Sequence, residues 1–288
     1  MTADDRVERG FPHLGTVREA ITALHRRLSA DGIAQFGASV LPADVAIDDD
    51  EELYSAVQRT AAALVRHLHL PEARVIVGFR DMGHAATVEL EAGPEYFIEL
   101  NARFKQHRRD IGAALAHEIT HVALHRLDLA FTGTPANEVL TDTVTTYLGA
   151  GWLLLDAFRQ DALTSQKLGY LTPEEFGYVL AKRADAFAED PAAWFTSPQA
   201  YEAYMAGRKE AAADTRRPPL AAAGWAARRR YAHDRRRGTA SPSAPYTLTP
   251  GKVAFPCPTC FQRLRLPAAR GPLQARCTLC GSLLACDT

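Results

Sequence analysis

Two pairs of side chains, each pair four residues apart, restrict this chain more than any other feature: His117 with His121, and Glu138 with Asp142. Residues at that spacing share one face of a helix, about 6 Å apart along its axis. The stretches "ALAHEITHVALH", 114–125, and "NEVLTD", 137–142, therefore read as parts of two helices, joined by the loop "DLAFTGTPA". So short a connection makes the helices antiparallel neighbours, and the two faces can then meet.

Two imidazoles one turn apart can reach a single ion at about 2.1 Å. Glu138, on the facing helix, is the candidate for a third ligand. Two histidines and one carboxylate leave a fourth position open, as in a catalytic zinc site and unlike a closed structural one. Glu118 follows His117 directly. It is rotated off the ion yet close enough to take a proton from a water beside it, which suits a general base. Asp142 is placed to hydrogen-bond the outer nitrogen of a ligating histidine, with His117 the expected partner, and to fix its tautomer. His125 lies about 12 Å along the axis from His117, too far to share the ion, and reads as a partly buried surface histidine.

His117-Glu118-x-x-His121 followed by Asn137-Glu138-x-x-Thr141-Asp142 resembles the gluzincin metallopeptidases, the thermolysin-like clan. The resemblance covers roughly residues 75–160. It implies a zincin-like domain that hydrolyses peptide bonds, with His117, His121 and Glu138 as zinc ligands, Glu118 as base and then acid, and Asp142 supporting the ligands. It further implies that "YFIELN", 96–101, is the edge strand along which a peptide substrate adds. Such enzymes stabilise the oxyanion with a distant histidine or tyrosine. Tyr147, Tyr170 and His233 are candidates, and no motif separates them. A metzincin would require glycine and histidine where Leu124 and Leu127 stand. Over fewer positions, Asn101, Arg108, Arg109 and "AHEITH" are similar to the ImmA/IrrE-type peptidases. The Spartan/SprT-like proteases share a zinc-binding tail but use histidine where this chain has Glu138.

Cys257-x-x-Cys260 and Cys277-x-x-Cys280 form a second pattern. Four thiolates at this spacing make two knuckles around one tetrahedral zinc, and Gly281 suits the left-handed turn a knuckle needs. "FQRLRLP" and "PLQAR" read as short strands joined at a Gly-Pro turn, so the module resembles a zinc ribbon. A segment this small has little core, which makes its zinc structural. A rubredoxin-like iron site is the lesser alternative. Cys286 reads as a small apolar residue near the terminus; the sharper idea is a thiolate that reaches the catalytic zinc.

All five cysteines lie from Cys257 onward, whereas a secreted disulfide protein would spread them through the fold. "MTADDRVERGFPHLG" has no apolar leader core, and no run of about 18 apolar residues occurs. A cytoplasmic protein with no membrane partner is expected. Apolar periodicity predicts helices at 16–31, 52–69, 109–127, 137–157, 173–188 and 198–213. Strands are predicted at 74–80, 85–91 and 95–101, the last two a hairpin. The acidic run 48–52 is expected to complement the amides at the start of the second helix.

The whole is α+β. A mainly helical zincin-like domain with a small antiparallel sheet spans 1–215, its catalytic core at about 75–160. An Arg/Pro-rich linker with one basic helical piece spans 216–249, and the ribbon spans 250–288. Net charge is −1, yet 216–245 holds eight arginines and one acid, and Lys252, Arg263, Arg265, Arg270 and Arg276 follow. Nucleic acid or a protein surface is the expected partner of this part. The expected function is a cytosolic zinc metallopeptidase acting on a protein substrate, such as a regulator or DNA-associated protein, with one catalytic and one structural Zn2+. The alternative is a non-catalytic regulatory or nucleic-acid-binding zinc protein. A scaffold has no use for a base such as Glu118 beside its metal.

Overall fold

The computed structural model describes residues 7–160, 165–268 and 271–288; Arg270 and the first six residues lie outside them. Helices α1 (Leu14–Ala34), α2 (Pro42–Val45) and α3 (Leu53–His67) precede a sheet of β1 (Arg74–Arg80), β2 (Ala86–Glu89) and β3 (Glu95–Asn101). Next come α4 (Ile111–Arg126), α5 (Thr134–Tyr147) and α6 (Gly151–Asp156), the short pair β4 (Arg159–Gln160) and β5 (Ser165–Gln166), then α7 (Pro173–Phe187) and α8 (Pro198–Thr215). Helix α9 (Trp225–Arg237) leads into β6 (Thr247–Thr249), β7 (Lys252–Pro256), β8 (Arg263–Pro267), β9 (Pro272–Arg276) and β10 (Leu283–Asp287). The fold is thus α+β, mainly helical, with small sheets and a β module at the cysteines. No described helix is long and apolar enough to cross a membrane.

Helix α4 is apolar almost all round, as a helix enclosed by other elements must be. It packs against α3, α5, α6, β2 and β3, with Ile111, Leu115, Ile119 and Val122 fully buried. The threonine-rich α5 is buried as well. Thr143, Thr145 and Thr146 satisfy their hydroxyls on the carbonyls one turn back, at 2.7–2.8 Å, so their burial leaves no polar atom unpaired. At the start of α3, the Glu52 carboxylate accepts from the amides of Tyr54 (3.1 Å) and Ser55 (2.8 Å), as expected for the acidic run. These bonds hold its pKa below the ordinary value.

The expected hairpin is present, with Val88 opposite Ile98, but β3 also pairs in parallel with β1, with Val77 opposite Ile98. The order is β1-β3-β2. The strand 95–101, expected at the edge, is therefore central, and β1 and β2 are the edges. The reason lies in the side chains. β3 alternates buried Tyr96, Ile98 and Leu100 toward the core, whereas no residue of the four-residue β2 is buried. Short strands with little buried surface are suited to edges.

The helix expected at 137–157 is two helices. Gly149 interrupts it at φ +109°, and a Cβ there would lie 2.9 Å from Ser39 Cα and 3.0 Å from Arg183 Nη2. Only glycine allows both the conformation and the approach. Arg183 fills the corner, 2% exposed. It donates to the carbonyls of Phe36 (2.8 Å) and Tyr147 (2.9 Å) and pairs with Glu189 at 3.1 Å. Replacing Arg183 with Met is expected to cost about 3 kcal/mol, because it strands two buried carbonyls and the Glu189 charge. Urea unfolding of the purified variant measures this.

The basic stretch read as a linker carries α9, and it shares one buried cluster with the cysteine module: Leu220, Tyr231, Tyr246, Val253, Phe255 and Cys286. Asp234 accepts from the Tyr246 hydroxyl at 2.8 Å, and Asp287 N donates to Pro219 O at 2.7 Å. The module in turn rests on α1 and α7. Thr22 Oγ1 donates to Cys260 O and Lys182 Nζ to Pro258 O, both at 2.8 Å. The Phe261 ring lies beneath the Arg18 and Lys182 cations, 5.5 and 5.3 Å from its centroid.

Candidate metal centres and the cleft beside them

His117 and His121 project from one face of α4 toward Glu138 on α5. His117 Nε2 lies 3.1 Å from His121 Nε2 and 3.1 Å from Glu138 Oε2; His121 Nε2 lies 3.4 Å from the same oxygen. Ligands about 2.1 Å from a tetrahedral ion sit about 3.4 Å from one another, so the three atoms fit one zinc-sized cation. The set is largely buried, with side-chain exposures of 12–15%. No other described His, Asp or Glu group is drawn together in this way.

Asp142 is fully buried one turn beyond Glu138. Its Oδ1 accepts from His117 Nδ1 at 2.8 Å, an arrangement that turns Nε2 toward His121 and Glu138. Its Oδ2 accepts from the backbone amides of Tyr170 and Leu171, the latter at 3.0 Å. This second bond set was not legible in any motif. It draws residues 169–171 onto the back of the site. Gly169 makes the approach feasible: at φ +81°, a Cβ would lie 2.7 Å from Asp142 Oδ2. Replacing Asp142 with Ala is expected to weaken binding of a cation at His117, His121 and Glu138 by about 10- to 100-fold. Competition against a chromogenic chelator measures the loss.

Thr141 Oγ1 lies 3.3 Å from His121 Nδ1, so each imidazole has its own partner on α5. The electrostatics favour a cation. Burial alone would raise the Glu138 carboxyl, but its hydrogen bonds to the two histidines outweigh burial and hold it at about 2. Burial opposes a charge on His117, yet Asp142 and Glu138 prevail and raise its pKa well above the usual value.

Glu118 points into the same space, 7% exposed, with no hydrogen bond to hold it elsewhere among the described residues. Burial raises its pKa, against the pull of His117 and His121. The space is an open cavity of about 530 Å³ whose walls include His84, Val88, Glu118, Leu154, Leu168 and Tyr170. The edge strand β2 forms one side. Asn101 Nδ2 donates to His84 O at 2.9 Å and so anchors the approach to that strand.

Of the three oxyanion candidates, only Tyr170 reaches the cavity. Its ring stacks on His117 at 6.5 Å and 24°, and it is 50% exposed. Tyr147 is fully buried against His25, with its hydroxyl 3.1 Å from His25 Nε2, and His233 lies on the exposed side of α9. His125 is exposed, more so than expected, and lines a separate shallow pocket. His84 lines the main cavity without any sequence pattern to announce it.

The four cysteines converge as expected. Cys257 and Cys280 sulfurs lie 3.7 Å apart, and those of Cys260 and Cys277 lie 3.6 Å apart. Four thiolates about 2.3 Å from one zinc would sit about 3.8 Å apart, so the donors fit that ion closely. Cys257 and Cys277 amides are fixed by Gln262 O and Ser282 O, each at 2.9 Å, as the two knuckles require. Cys286 does not approach the histidines. It pairs with Leu273 in the β9–β10 ladder, bridges to Leu220, and is 1% exposed. Burial pushes its thiol up to about 11, so it behaves as a small apolar core residue.

Comparison with protein-family models, with curated proteins and with solved structures finds no match to this chain.

Proposed function

We propose that this protein is a zinc-dependent peptidase whose cleft lies between β2 and the α4–α5 pair. The observation that carries this reading is the company Glu118 keeps. A buried carboxylate with no hydrogen-bond partner among the described residues faces an open cavity beside two histidines and a glutamate spaced for one cation. A divalent cation held there would polarise a carbonyl and acidify a water.

The chain's own residues supply the remainder. A peptide adds to the free edge of β2 by backbone hydrogen bonds, which places a carbonyl over the cavity floor without demanding a particular side chain. Glu118 takes a proton from the attacking water and returns it to the departing amine. The Tyr170 hydroxyl is the donor we assign to the negative charge that develops on the carbonyl oxygen. Asp142 keeps His117 in one tautomer throughout. The cysteine module, with its own zinc, is the element we assign to holding a partner, protein or nucleic acid.

The test compares protein N-termini in cells that carry the wild type or Glu118→Gln. Termini that appear only with the wild type give both activity and substrate. Identical termini under every growth condition tried would remove the peptidase reading and leave a metal-stabilised scaffold.

A further inference from the structure

The two parts of the chain carry opposite charge. Thirteen of the 33 Lys and Arg residues but only two of the 34 Asp and Glu lie from Arg216 onward, a net +11 against −12 for the rest. One of those two acids, Asp234, is buried and accepts from Tyr246, so it neutralises little of the surface. Ordinary solvated faces mix both signs, because that keeps a protein soluble without a one-signed field.

The geometry of α9 concentrates this charge. Tyr231 and Asp234 face inward to the module's core. Trp225, Arg229 and Arg236 fall on the opposite side at helical spacing, flanked by Arg228, Arg230 and Arg237. All six are exposed. Those five arginines form no ion pair with a described residue; in this part of the chain the pairs belong to Arg217, which precedes the helix. Three of them, Arg228 to Arg230, sit in the first half of α9, where the helix dipole disfavours cations. Local physics alone would not put them there.

Trp225 decides the kind of anion. It is 70% exposed, beside Arg229 whose guanidinium lies 5.4 Å from its ring centroid. An exposed indole flanked by arginines offers a stacking face next to phosphate-binding charge. A duplex conceals its base faces, whereas a single strand presents them. We propose that the outer face of α9 binds single-stranded nucleic acid, with Trp225 stacking on a base and Arg229, Arg236 and their neighbours on phosphates. This surface stands apart from the cleft and does not depend on the peptidase reading.

The test uses the full chain with both metal sites loaded and a fluorescent mixed-sequence 20-mer, as single-stranded DNA, single-stranded RNA and duplex DNA. The single strands are expected to bind at least tenfold more tightly than the duplex. The slope of log K on log salt is expected at about −2 to −4, near 0.7 per phosphate engaged. Trp225→Ala should weaken binding about tenfold and abolish the quench of tryptophan fluorescence. Arg229→Gln with Arg236→Gln should flatten the salt slope by about 1 to 2. These positions are exposed, and unchanged zinc content verifies that each variant is folded.

Glu118→Gln should bind as the wild type does, so loss of one reading leaves the other standing. Three results overturn the proposal: no binding at 100 mM salt and micromolar protein; equal or tighter binding of the duplex, or of heparin, with Trp225→Ala without effect; or salt-sensitive dimers in sedimentation with no nucleic-acid affinity, which would assign the face to the acidic surface of a second copy.

Discussion

Glu118→Gln is expected to lower kcat/KM on a cleaved peptide by about 10²- to 10⁴-fold while both cations stay bound. The substitution is nearly isosteric, and the Glu118 side chain contributes no hydrogen bond to the described fold, so nothing structural depends on its charge. What disappears is the capacity to accept a proton at a point facing His117 and His121. The Glu118→Gln protein should keep the zinc content and thermal midpoint of the wild type, and peptide affinity should change little, so the loss falls in kcat. Single-turnover cleavage of a peptide taken from the N-terminus comparison reads this directly. A variant that retains its rate would show that the carboxylate is incidental to any hydrolysis.

The second large effect is expected at the cysteines. Replacing Cys277 with Ser should release one cation and unfold the module from about residue 216 onward. Four-thiolate zinc sites contribute about 10–16 kcal/mol of apparent binding energy, comparable to or above the about 5–15 kcal/mol that stabilises a whole domain. The apolar cluster that remains, around Tyr231, Tyr246, Val253 and Phe255, is too small to compensate. The Tyr231–Tyr246 contact at 4.8 Å would be lost, and α9 with it. Hydrogen exchange should show protection vanishing across α9 and β6–β10 and persisting in α4 and α5. The thiolate pattern would have no structural role if protection there survived without the metal.

The contrast between what could and could not be read in advance follows the range of the interactions. The two pairs four residues apart, the two Cys-x-x-Cys pairs and the acidic cap of α3 depend on residues within one or two turns, and each was legible. The rest depended on distant partners. Whether 95–101 lies at the edge or the centre is decided by β1, which pairs with it directly and in parallel although β2 comes between them in sequence. The end of α5 is decided by Arg183 and Ser39 pressing on Gly149. The hold of Asp142 on residues 170 and 171 needs a loop 28 positions away that carries no motif of its own. The apparent linker looked like one because Arg, Pro and Ser dominate it. Its few anchoring residues, Leu220, Tyr231 and Asp234, are visible only once the cysteine module is in place to receive them.

The seating of the module on α1 and α7 has a metrical meaning. Lys182, 4% exposed, is committed both to Asp214 at 3.0 Å and to Pro258 O. Lifting the module away would take Pro258 O from this buried ammonium and the Phe261 ring from beneath it, which is costly. The span from the outer face of α9 to the cleft is therefore a fixed length, and not the reach of a loose tether with its spread of distances. A partner gripped at one end would meet the cleft at one offset. On the proposed peptidase reading the molecule would then work as a ruler, with cuts clustered at a set distance from the point of attachment.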